Sequence, residues 1–426
     1  MAFKKKLHAF RPNGDPLLVE TKRTTQKQRS EPCDPASLER GVRQLLADKL
    51  SGTMVGIWLL IPEHLRLGTW DLLCGWTGQS SKQVQPRLAL QSVHEAALCV
   101  SGVREGRSLS QKGFEVANGL PFVATDQAIH DLFEAQSIDR TQSLQITLGQ
   151  LRRASGHFQG RLLAVDPHRL RSYSKRQMPR RCHREGDPAV KALQTFFCFD
   201  VETQQPIAST IGSAARTVSQ ATPQLLDMAT RILHPKPGTS LVLADNEHLT
   251  ADLFEYVHQH SCFDLLCPMT CRPRQQKKLA QLPDEVWTTH WAGMATACLP
   301  YQSKNFRSQP LYQLVQRCGE TPDNYHYKSF LSTTKRDELD QLCCQYPQRW
   351  HVEEFFNTYQ AMGWKRAGTL NLHIRYAQLT MAFIAQAAVQ QLRQRLGEPF
   401  DQWEARHLGQ DLFKGLEGDV RVIEDT

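Results

Sequence analysis

The chain has 426 residues, long enough for two or three separately cored domains and too long for a single small module. Hydrophobic residues make up 40% and charged residues 22%, the proportions of an ordinary globular protein, which excludes a disordered or fibrous chain. The net charge of +8 is modest but gathered into clusters, and 12 cysteines over this length make no disulfide framework, which points to reduced thiols and a cytoplasmic setting.

The longest apolar run, Val55-Gly-Ile-Trp-Leu-Leu-Ile, is too short to cross a bilayer, so no membrane association is expected. Lys4, Lys5 and Lys6 resemble the start of a signal peptide, but His8, Arg11 and Asn13 stand where its apolar core belongs. Residues 1–32 show no hydrophobic period and are expected as a flexible basic arm, with Lys22, Arg23, Lys27 and Arg29 adding to its charge.

Order begins at Asp34-Pro35, a helix cap followed by proline in the first turn. Leu38, Val42, Leu45, Leu46 and Leu50 then recur at helical spacing, and further helical patterns cover 64–73, 84–97 and 108–118. A turn at Gly119 and a second helix capped near Thr125 give a helix-turn-helix outline. Its exposed candidates for base contact are Gln127, His130 and Asp131, and the same outline also serves as plain helical scaffolding. Residues 33–155 are thus expected as a helical N-terminal DNA-binding domain.

From Arg161 the pattern changes to α/β. Strands are expected at 161–165, 194–199 and 206–211, followed by a helix at about 220–233 and a strand ending at Asp245. A helix over 249–259 and a strand over 263–267 follow, which together make a mixed sheet. Residues 268–335 turn β-like and proline-punctuated, and are expected as a β-rich insertion. Helices from Tyr346 to about Met362 and from Leu370 to about Leu396 close a catalytic domain of residues 156–396, the second apolar nearly all round and so buried. Residues 397–426 are acidic and expected as a tail.

Basic residues cluster again at Arg169, Arg171, Lys175, Arg176, Arg180, Arg181 and Arg184, directly after Asp166, and at Arg272, Arg274, Lys277 and Lys278. Clusters that converge in space suit a polyanion, because each neutralised phosphate releases counterions. Asp166 and Asp245 each follow an apolar run, and Glu353 falls on a helix one turn from Arg349 and two from Tyr346. Three acids on rigid elements offer the hard oxygen ligands that paired Mg²⁺ ions need for phosphodiester cleavage. Glu354 is the rival third acid, and it lacks the four-residue spacing to Arg349.

The order strand-Asp, strand-Asp, β-rich insertion, then Tyr346, Arg349 and Glu353 with Trp350, Val352 and Phe356 alongside, resembles the DDE transposases of bacterial insertion sequences. The resemblance spans roughly residues 110–395 and implies a ribonuclease-H-like catalytic domain of the cut-and-paste branch. It implies that Asp166, Asp245 and Glu353 bind two Mg²⁺ or Mn²⁺ ions, and that Tyr346 and Arg349 contact phosphate near the transposon end. It also implies double-stranded DNA partners, both transposon ends and target, and a homodimer that pairs two ends. Relatives often carry lysine seven residues after the glutamate, where this chain has Gln360, and Lys365 or Arg366 is the nearest substitute. Trp287 and Trp291 are similar in kind to an aromatic that stacks a flipped base, although packing inside the insertion is the favoured role for each.

Two further readings stand beside transposition: a nuclease of the same fold without strand transfer, and a domesticated, non-catalytic DNA binder. His258, His260, Cys262, Cys267 and Cys271 contain no Cys-x-x-Cys pair and carry little case for zinc. No Gly-Lys-Ser/Thr phosphate loop and no Gly-x-Ser-x-Gly elbow occur.

Overall fold

The computed structural model describes residues 8–10, 16–18, 34–47, 50–52, 54–80, 83–100, 109, 111–172, 177, 180–181, 188–213, 215–303, 305–363, 369 and 371–420. Within the expected N-terminal arm, β1 (His8–Phe10) pairs antiparallel with β2 (Pro16–Leu18), and the rest of the arm lies outside the described residues. Helix α1 (Pro35–Ala47) starts where Asp34 accepts the Ser37 amide at 3.1 Å, and β3 (Leu50–Gly52) follows it. A 3₁₀ turn over Val55–Leu60 leads to α2 (Ile61–Arg66), α3 (Thr69–Thr77) and α4 (Gln85–Ala97).

Helices α5 (Lys112–Ala117) and α6 (Asp126–Glu134) form the expected pair. Gly119 turns between them at φ 67°, and Thr125 caps α6 by accepting the Ala128 amide at 3.3 Å. Ile129, Leu132 and Phe133 face the core, leaving Gln127 and Asp131 exposed and His130 half-buried. Helix α7 (Ile138–Ala154), capped by Ser137, completes this region.

The sheet begins with β4 (Leu162–Arg171), a short β5 (Arg180–Arg181), β6 (Val190–Asp200) and β7 (Gln205–Ser213). Helix α8 (Val218–Leu233), β8 (Leu241–Leu243), α9 (Ala251–His260) and β9 (Asp264–Met269) follow. Strands β7, β6, β4, β8 and β9 lie side by side in that order, the first three antiparallel and the last three parallel. That is the ribonuclease-H-like layout: a three-strand meander whose first strand also heads a parallel run joined through helices.

Among its described residues the insertion holds one α-helix, α10 (Pro273–Ala280), and an antiparallel meander of β10 (Thr288–Trp291), β11 (Met294–Ser303), β12 (Phe306–Cys318) and β13 (His326–Ser332). It is not a separate sheet. Strand β13 pairs antiparallel with β9, so the meander extends the catalytic sheet from its edge.

A helical segment then runs from a π turn at Asp340–Gln345 through a 3₁₀ turn at Tyr346–Trp350 into α11 (His351–Tyr359). Helix α12 (Leu372–Leu396) is buried around most of its circumference, and it packs against both β7 and the N-terminal helices α4 and α7. The described residues of the expected acidic tail, 397–420, fold back instead. Helix α13 (Ala405–His407) and a π-helical stretch at Leu408–Lys414 bury Ala405, Leu408 and Phe413 in the core, and β14 (Gly418–Val420) pairs with β3. A Cβ on Gly56 would come within 2.0 Å of the Leu412 carbonyl oxygen, so this contact needs a glycine. The acidic residues hid three apolar anchors spaced along the segment.

Side-chain alternation sorts the sheet into two faces. Leu163, Val165, Phe196, Cys198 and Val242 join the core beneath α8 and α9. Leu162, Ala164, Phe197, Phe199, Leu241 and Leu243 face the core containing α11 and α12. No helix among the described residues is long and apolar enough to cross a membrane.

Candidate active site

The parity that sorts the core also aims the acids. Asp166 continues the Leu162, Ala164 series and Asp245 the Leu241, Leu243 series, so both point to the face covered by α11. Parallel pairing of Leu162 with Leu241 and Ala164 with Leu243, carried on by two residues, sets Asp166 level with Asp245. Asp166 was expected at a strand end, yet β4 continues to Arg171 by pairing Asp166 with Phe197 and Arg171 with Ala192. The continuation has a neighbour on one side only, where Pro167 and charged residues are tolerated, and that composition conceals it.

Glu353 comes from the helical segment, seated by aromatic rings. Phe356 packs edge-on against Phe197 at 4.9 Å and stacks on His168 at 4.4 Å, while Phe355 lies 5.0 Å from Phe199. Arg349, one turn before Glu353, donates from Nη1 to Asp166 Oδ1 at 2.9 Å and from Nη2 to Glu353 Oε1 at 3.3 Å. A single guanidinium therefore bridges two of the acids. Glu354 points outward and is exposed.

Burial pushes the Asp166 carboxyl up to about 7; the Arg349 charge opposes this, and neighbouring Asp245 and Glu353 add to it. Asp245 is held below the usual carboxylate range, because burial is outweighed by the hydrogen bond and charge of His248, with Arg349 helping. Its Oδ1 accepts from His248 Nδ1 at 2.5 Å and from the Glu247 amide at 3.0 Å. For Arg349, burial pulls the pKa down, and Asp166, Tyr346, Asp245 and Glu353 more than offset it.

Tyr346 is half-buried, its ring edge-on to Phe330 at 4.8 Å and its hydroxyl donating to the Ala244 carbonyl at 3.4 Å. Burial raises its phenol to about 12. It thus braces the residue before Asp245. Arg169 donates to Gln194 Oε1 at 3.3 Å and pairs with Glu247, which ties β4 to the turn after Asp245. Arg171 is exposed at the end of β4. Lys175, Arg176 and Lys365 lie outside the described residues.

The two tryptophans part company. Trp287 is buried in the core of the meander with the Arg317 guanidinium 4.6 Å over its ring, so its face is already covered. Trp291 is 55% exposed at the β10–β11 hairpin. His248 and His168 were not singled out from the sequence. The signal for His248 was available, since a histidine three residues after a strand-end aspartate falls within reach of its carboxylate.

Among the described residues no three acids, histidines or cysteines already stand close enough to form a metal cage. The donor chemistry nevertheless suits a hard divalent cation. Asp166, Asp245 and Glu353 are all within electrostatic reach of Arg349, and a buried carboxylate raised to about 7 is short of positive charge.

The transposase DDE domain matches residues 157–387. No curated protein matches the chain at a significant level. Among solved structures, a cryo-EM structure of the piggyBac transposase synaptic complex with hairpin DNA is similar at a TM-score of 0.44 and 10% identity, covering 86% of this chain and 82% of that one. With that domain matched over more than half of its length, the chain belongs to the DDE-domain transposase family.

Proposed function

We propose that the protein binds transposon inverted-repeat ends, cleaves DNA phosphodiesters at Asp166, Asp245 and Glu353, and joins the freed 3′-hydroxyl to target DNA. The observation that carries this reading is the Arg349 bridge between Asp166 and Glu353, with Asp245 two residues beyond β8, where continuing the parallel register brings it beside Asp166.

Asp166, Asp245 and Glu353 are the residues that would hold two Mg²⁺ or Mn²⁺ ions. Such ions, when bound, activate water and offset charge on the leaving oxygen. The chain's own residues do the positioning. Asp166 is fixed by its strand pairing, and Asp245 by His248 and the Glu247 amide, both on the same oxygen. Arg349 bridges Asp166 and Glu353 as a cation, and its guanidinium is the group that would pair with a DNA phosphate beside them. Trp291, Arg171, Lys175, Arg176 and Lys365 supply further contacts to the duplex, while Arg169 acts by bracing Glu247. Two copies are needed to pair two ends, so a homodimer is the working assembly.

A supercoiled plasmid carrying candidate ends, incubated with the full chain and Mg²⁺, tests the reading. Joined products support transposition, and nicks without joining reduce it to a nuclease. Retention of DNA without any cut removes the catalytic assignment, as does full cleavage by Asp245→Asn or Glu353→Gln.

A further inference from the structure

We propose that helix α10 is a phosphate-backbone clamp that grips the DNA duplex near the acids. Arg274, Lys277 and Lys278 are spaced three and four residues apart, so they share one face of α10. Leu279 on the other side is the helix's one buried residue, and it enters a small core with Trp287, Ala295, Ala297 and Val315. Arg272, at the N-cap, and the three helical cations are exposed, and among the described residues none of them forms an ion pair. Asp284, an acid close in sequence, lies 3.7 Å from Arg317 instead. A helix anchored by one leucine and otherwise presenting unneutralised cations has little to contribute to the meander's stability. It is matched to a polyanion.

Strand β9 sets where that polyanion lies. Strands β8 and β9 are parallel, with Leu241 opposite Asp264 and Leu243 opposite Leu266, so Asp245 is level with Pro268. Thr270 then donates to Asn246 at 3.4 Å, tying the approach to α10 to the residue after Asp245. Arg272 follows four residues beyond Pro268, at most about 14 Å away in extended chain. The helix itself adds about 12 Å. At roughly 3.4 Å per nucleotide step, the cations therefore meet phosphates within about eight base pairs of the scissile one.

This inference rests on the proposed DNA cleavage, and its test separates the two. The full-length wild type and an Arg274→Gln/Lys277→Gln/Lys278→Gln variant are compared on a duplex that carries a cleavable end and 20 or more base pairs on each side. Binding is measured across salt concentrations, together with phosphate-ethylation interference. The variant is expected to keep the wild-type melting temperature, to lose about 2–3 from the slope of log affinity against log salt, and to lose interference signals within about eight base pairs of the cut. Lys277→Glu/Lys278→Glu is expected to weaken binding further. Unchanged slope and interference in both variants would overturn the clamp, as would an effect seen only on DNA that lacks a cleavage site. Failure of the wild type to cut removes the cleavage reading instead, while the slope and interference still decide whether α10 grips DNA.

Discussion

Arg349 and Asp166 are joined by a 2.9 Å ion pair across 183 residues of sequence. The same guanidinium reaches Glu353, so one cation stands between two acids, where the proposed divalent ions would compete with it. Above pH 7, where Asp166 is ionised, Arg349→Ala is expected to destabilise the metal-free protein by about 2–4 kcal/mol, because it strands a buried carboxylate without its partner. It is also expected to enlarge the Mn²⁺-induced rise in melting temperature, since ligand linkage then works against no resident cation. Arg349→Lys keeps the charge but not the fork, and should fall between. Differential scanning with and without Mn²⁺ checks this. A metal-induced rise no larger than in wild type would show that guanidinium and metal do not compete.

The raised pKa of Asp166 has a definite sign in stability. Its carboxyl titrates at about 7 in the fold, against an ordinary value of 3.8. Between those values the unfolded chain releases a proton that the folded chain keeps, so this group's contribution is present below about pH 4 and is lost as pH rises through 7. Metal-free protein should therefore lose a few kcal/mol of stability on that account over this range. Asp166→Asn should flatten the profile. Denaturant midpoints measured at pH 5, 6, 7 and 8 for both proteins settle it, and parallel profiles would contradict the assignment.

Much of this was legible in the sequence, for a physical reason. Apolar runs such as Leu162–Val165 and Leu241–Leu243 are buried on both faces of a sheet, so they stand out, and the acids that end them are marked by contrast. The one-turn spacing of Arg349 and Glu353 transferred directly to a contact. What stayed hidden was structure built from polar residues. The extension of β4 to Arg171 is written in charge, and α7 buries Thr141, Gln145 and Arg152, which carry no apolar period. Gln145 is buried because Thr380 and the Ser209 amide each bond to it at 3.0 Å, partners that only tertiary structure supplies.

His248 is a positioning residue for Asp245. Its Nδ1 hydrogen bond fixes one carboxylate oxygen and helps keep the group ionised. His248→Ala should raise the Asp245 pKa and weaken metal binding about 10–100-fold, the usual cost of removing a hydrogen bond that supports a ligand. The Mn²⁺ concentration for half-maximal cleavage should rise accordingly, with the acid limb of the pH profile moving upward. A fall in activity with neither change would mean a purely structural role for this side chain.

The two insertion tryptophans should separate stability from DNA contact. Trp287 is buried beneath Arg317, and its removal leaves a cavity among Leu279, Ala295, Ala297 and Val315. Trp287→Ala is therefore expected to cost about 3–5 kcal/mol of folding stability. Trp291 is more than half exposed, so Trp291→Ala should leave the melting temperature within about a degree while weakening binding to end DNA by about 1–3 kcal/mol through loss of base stacking. Thermal melts and binding isotherms on the two variants read out both quantities. If Trp291→Ala bound end DNA as tightly as wild type, the exposed ring would have no stacking role, and if Trp287→Ala were fully stable, the meander core would be held by its backbone pairing alone.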